Sequence, residues 1–138
     1  MAVVTMGNCP NTDVLCSNKA GTKFAHIQVK TLIPGIKTCS VGMKAERDFG
    51  ANFFWVLGGI PEPGQQADFI YYVIPACEMA ANIKAEFKKW VETPGKNDRP
   101  HDPTNTFRTV SLPPRVSLTG WDISPYANRW DLIEAHLK

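Results

Sequence analysis

The run from 52 to 60 reads NFFWVLGGI, aromatic and β-branched and without a single charge. Such a stretch predicts a buried strand. The loop PEPGQQAD at 61–68 follows, and then a second apolar run, FIYYVI, at 69–74. The two runs are expected to pair as antiparallel neighbours, which commits the chain to a core built on a sheet. Next comes a helix. Pro75 stands where a first helical residue would. Ala76, Ala80, Ile83, Phe87, Trp90 and Val91 recur at helical spacing, with Glu78, Asn82, Glu86, Lys89 and Glu92 on the opposite side. Pro94 and Gly95 end it.

Upstream, residues 3–6 suggest a short strand and GNCPN at 7–11 a turn. Asp13 opens the run DVLCS, NKAG at 18–21 turns the chain, and KFAHIQVK follows at 23–30. Two runs joined by a short Gly-containing loop read as a β-hairpin. In its second strand Ala25, Ile27 and Val29 point to one face, and His26, Gln28 and Lys30 to the other, expected to be polar. Residues 37–42 suggest another short strand ahead of a charged, mobile-looking KAERDFG. Residues 96–108 read as an exposed loop, and the stretch after it as extended and broken by prolines. Ser124-Pro125 begins a last helix, about 125–137, that buries Tyr126, Trp130, Ile133 and Leu137. The expected core includes Ile27, Val29, Phe54, Val56, Ile83, Phe87 and Trp130.

These elements describe one α/β (α+β) domain over residues 1–138, with a mixed central sheet flanked by helices. Hydrophobic residues make up 43% and charged residues 20%, which suits a packed core and argues against long disorder. Fifteen basic and 13 acidic residues leave a net charge of +2, so only local basic clusters are on offer. Cys9, Cys16, Cys39 and Cys77 form no CxxC pair and read as reduced, mostly buried thiols of a cytoplasmic protein. The opening MAVVTMGNCP lacks the basic and apolar regions of a signal peptide, and no apolar run approaches a membrane span.

The hairpin carries the candidate chemistry. It sets Asp13 near the start of one strand and Gln28 and Lys30 on the next, within side-chain reach. A carboxylate, an amide oxygen and an ammonium then meet at one edge of a sheet. Hard cations such as Mg²⁺, or Mn²⁺, take oxygen ligands from one or two carboxylates plus phosphate and water, and an ammonium can stabilise developing charge. The ordinary alternative is an Asp13–Lys30 ion pair beside a solvated Gln28. His26 on the same face, and Arg99 and His101 in the polar loop, are candidate phosphate contacts. Lys84, Lys88, Lys89, Lys96 and Arg99 form either a phosphate-facing patch or a solvated face interleaved with Glu78, Glu86 and Glu92.

Asp13, fourteen intervening residues and then Gln28-Val29-Lys30 resemble the D…(D/E/Q)-x-K signature of the PD-(D/E)XK nuclease superfamily, which is restriction-endonuclease-like. The strings GNCPNTDVLCSN, AHIQVKT, FIYYVIPACEMA, KKWVETPGK and NRWDLI look like successive segments of a small branch of it, from Gly7 to about Ile133. The resemblance implies a mixed sheet flanked by helices and a DNA phosphodiester substrate. It implies Mg²⁺ held by Asp13, the Gln28 side-chain oxygen and the Val29 carbonyl, with Lys30 polarising the attacking water. The sequence departs from the pattern in two ways. Gln28 replaces the commoner carboxylate, and only six residues precede Gly7 where the family core usually begins with a Glu-bearing helix. Two readings follow: a Mg²⁺-dependent DNA nuclease, or a catalytically degenerate endonuclease-like module that binds nucleic acid or a protein partner. The uncovered edge at Val3–Met6 further implies a homodimer, whose partner could bring Glu46 or Asp48 toward the site.

Overall fold

The computed structural model describes residues 1–5 and 9–138. Met6 of the expected first strand, and Gly7 and Asn8 of the expected turn, lie outside the described residues. The strands are β1 (Ala2–Val4), β2 (Val14–Ser17), β3 (Phe24–Leu32), β4 (Thr38–Ser40), β5 (Phe53–Gly59), β6 (Ile70–Pro75) and β7 (Thr109–Ser111). The helices are α1 (Ala76–Glu92) and α2 (Asp131–Leu137). Five strands form one mixed sheet in the order β1-β2-β3-β5-β6, and β4 pairs with β7 in a second, small sheet. β3 and β5 run parallel, and every other neighbouring pair is antiparallel. The fold is therefore α+β, and the expected β2–β3 and β5–β6 pairings are both present.

β5 is buried along all seven residues because both of its faces are covered. Phe53, Trp55 and Leu57 join Ile74, Met79 and Ile83 on the α1 side. Phe54 and Val56 join Ala25, Ile27, Val73 and Ile133 on the α2 side. A strand in this position has no water-facing side, so its sequence runs apolar without alternation. Burying each large side chain of this kind contributes roughly 1.5–3 kcal/mol.

Three expectations need correction. Trp130 is 40% exposed, because the expected helix over 125–137 is broken. Ser124–Tyr126 form a 3-10 turn, Ala127 makes a bridge to Tyr72, and Asn128 takes a left-handed φ of 53°. The Asn128 N–H donates to the Tyr71 carbonyl at 2.6 Å. Edge strand β6 thus captures this backbone before it can close a helical turn, and Trp130 is left leaning on the Tyr71 ring at 5.4 Å.

Phe87, Trp90 and Val91 are only half-buried, although Ala76, Met79, Ala80 and Ile83 of the same helix are fully buried. The C-terminal half of α1 packs on loop side chains: the Arg108 guanidinium lies 3.4 Å from the Phe87 ring centroid, and His101 stacks on Trp90 at 4.0 Å.

The KAERDFG segment is ordered at its start. Met43–Glu46 form a 3-10 turn with Ala45 buried, and the turn packs against α1. No helix among the described residues is long and apolar enough to cross a membrane.

Candidate functional site at the end of the β2–β3 pairing

The register of β2 and β3 sets Val14 opposite Ile27, and the Asp13 N–H donates to the Ile27 carbonyl at 2.8 Å. β2 begins at Val14, so the next β3 amide facing that side, on Val29, has no strand partner. The Asp13 carboxylate takes its place, with Oδ2 accepting the Val29 N–H at 2.7 Å. The same oxygen accepts a hydrogen bond from Gln28 Nε2. Asp13 and Gln28 are therefore brought together as the hairpin predicts.

The face that carries Gln28 is polar in its residues, as expected, but it is covered, so Gln28 is not the solvated side chain of the ordinary alternative. Gln28 is 5% exposed, and His26 and Lys30 are half-buried. The cover is the Met43–Glu46 turn, whose Lys44 Nζ donates to Gln28 Oε1 at 2.8 Å. An ammonium can only donate and a carboxylate can only accept, which fixes the amide's orientation: nitrogen toward Asp13, oxygen toward Lys44. The result is a chain of opposite charges, Asp13–Gln28–Lys44, bridged by a buried amide. Lys44 was missed in the sequence, where its segment showed charge without periodicity.

Lys30 follows on the same face of β3. Burial pushes the Cys39 thiol up, and the Lys30 ammonium acts on it in the opposite direction. His26 is tied to the buried Thr12, with Nδ1 and Thr12 Oγ1 3.1 Å apart. Trp55 lies beside Gln28 in the β3–β5 register, and its buried Nε1 has no hydrogen-bond partner among the described residues.

Arg99 and His101 belong elsewhere. His101 Nδ1 lies 2.6 Å from the Trp90 carbonyl, which fixes it as the donor. With its ring stacked on the indole, His101 fastens the loop to α1. Gly95 leaves room for it, since a Cβ there would sit 2.9 Å from His101 Nε2. Arg99 is exposed at the end of a 3-10 turn, and no hydrogen bond among the described residues joins either side chain to Asp13, Gln28 or Lys30. Glu46 pairs with the buried Arg108, and Asp48 caps the Gly50 N–H. Glu46 is thus already held within its own chain.

For a hard cation the oxygen donors divide. Asp13 Oδ1 has no partner among the described residues. The Val29 carbonyl points to the same side as the Val29 N–H, as strand geometry requires. Both oxygens suit Mg²⁺ or Mn²⁺. Gln28 Oε1 does not, because a cation already faces it. Among the described residues no group of three His, Cys, Asp or Glu side chains is gathered for a metal. No family model, curated protein or solved structure matches this chain.

Proposed function

We propose that this chain is a PD-(D/E)XK-type nuclease domain that hydrolyses DNA phosphodiesters with Mg²⁺ or Mn²⁺. What supports the reading is the set of contacts around Asp13: its carboxylate meets the Gln28 side-chain amide and the Val29 N–H, the first two residues of the Q-V-K step. In this reading Asp13 and the Val29 carbonyl hold the cation, which would supply Lewis-acid activation of the phosphate and of water. Lys30 holds the attacking water and offsets charge that builds on the phosphate. Gln28 aims Asp13 by donating to its carboxylate. The cysteines are not mostly buried as expected, since Cys9 and Cys77 are exposed and only Cys39 is buried; free, exposed thiols fit a reducing, cytoplasmic setting.

A second reading has its own observation. Lys44 occupies the Gln28 oxygen, so Lys30 and Lys44 together offer two ammonium groups on one face and bind phosphate without a metal. That is the degenerate, nucleic-acid-binding module. Calorimetric titration with Mn²⁺ separates the two. The nuclease reading expects saturable binding, its loss in Asp13→Ala, and tighter binding in Lys44→Ala, which frees an amide oxygen and removes a positive charge. A parent protein that takes up no Mn²⁺ contradicts it.

A further inference from the structure

A cleft of about 230 Å³ opens between α1 and the Asn105–Thr109 segment. We propose that it binds a single nucleobase. The volume is below the roughly 300–1,000 Å³ of sites for drug-sized ligands, so one ring system is the natural fit. Phe87, Trp90 and Phe107 line it. Phe107 is 76% exposed, an aromatic ring at the cleft that is largely open to solvent. Aromatic rings placed this way stack on any base, since every base has a π-face.

The polar groups narrow the ligand further. Arg108 is 6% exposed, lies against Phe87, and donates from Nε to Glu46 and from Nη1 to the carbonyls of Asn105 and Phe107. Its Nη2 has no hydrogen-bond partner among the described residues. The guanidinium is thus fixed in place with one amino group to offer. Asn105 Oδ1 accepts the Phe107 N–H at 2.8 Å, which leaves its amide nitrogen as a second donor. Glu46 already offsets the arginine's charge, and Glu86 adds a carboxylate to the lining. A phosphate is therefore disfavoured in the cleft, whereas a neutral ring with carbonyl or ring-nitrogen acceptors is favoured. The Met43–Glu46 turn joins this cleft to the candidate hydrolytic site, Glu46 holding Arg108 and Lys44 holding Gln28. Base binding nevertheless needs neither Asp13 nor a metal, so the inference stands apart from the nuclease reading.

The test is an NMR titration of the ¹⁵N-labelled protein with the four nucleoside 5′-monophosphates at millimolar concentrations, with ribose 5-phosphate as the control. The expected result is saturable shifts of the Trp90 indole and Arg108 Nε resonances for at least one nucleotide and none for ribose 5-phosphate. Phe107→Ala is expected to weaken that binding roughly tenfold, and to leave the melting temperature unchanged because the ring is not part of the core. No saturable shift at Trp90 and Arg108, equal shifts with ribose 5-phosphate, or unchanged affinity in Phe107→Ala would each overturn the proposal.

Discussion

Asp13 does two jobs with one oxygen. Oδ2 ends the β2–β3 ladder by accepting the Val29 N–H, and it satisfies the amide of a glutamine that water does not reach. Removing an acceptor from buried donors costs about 1–3 kcal/mol. Asparagine keeps one oxygen but brings an N–H₂ group and loses the charge. Asp13→Asn is therefore expected to destabilise the fold by about 1–2 kcal/mol, seen as a lower urea midpoint at unchanged slope. A midpoint equal to the parent's would mean that the carboxylate faces solvent instead. The meeting of Asp13 and Gln28 was legible in the sequence, because a short hairpin and strict alternation leave few registers. The burial of Gln28 was not. Its cover, Lys44, comes from a segment beyond β4 that follows no helical or strand period, and only the folded 3-10 turn aims it inward. His101 misled for a related reason: a polar loop residue reads the same whether it meets substrate or fastens the loop to an indole.

At the scale of elements, α1 was legible because its apolar spacing and its Pro-Gly stop agree, although Pro75 ends β6 and precedes the helix instead of opening it. The last helix was legible only in its second half, Asp131–Leu137 with Ile133 buried; its start was not, since Ala127 and Asn128 settle on a bridge to β6 that no local pattern announces. β1 is the exposed edge of the sheet. It is hydrogen-bonded to β2 on one side, and Val3 and Val4 are 50% and 76% exposed. An apolar edge strand is a template for another strand. The expected outcome is a two-fold dimer through β1, with a mass of two chains by light scattering at high concentration, and of one chain in Val4→Lys. One chain's mass for the parent at every concentration would remove the partner from the account. Glu46 would not complete a partner's site in such a dimer without leaving Arg108.

For the whole molecule, the mixed sheet is the organising feature. Covered by α1 on one face and α2 on the other, it makes β5 a fully buried spine and holds β3 in register beside it. The candidate chemistry sits where β3 outruns β2, so the same register that builds the core also exposes the Asp13 end of the strand pair. In the proposed nuclease, this end of the sheet cleaves phosphodiesters and Lys30 takes part. This is tested most directly by incubating supercoiled plasmid with the protein in Mg²⁺ and in Mn²⁺. The expected result is conversion to open circles by the parent, with the rate falling roughly a hundredfold or more in Lys30→Ala. Plasmid that stays supercoiled in both metals, or a Lys30→Ala protein that nicks as fast as the parent, would contradict it.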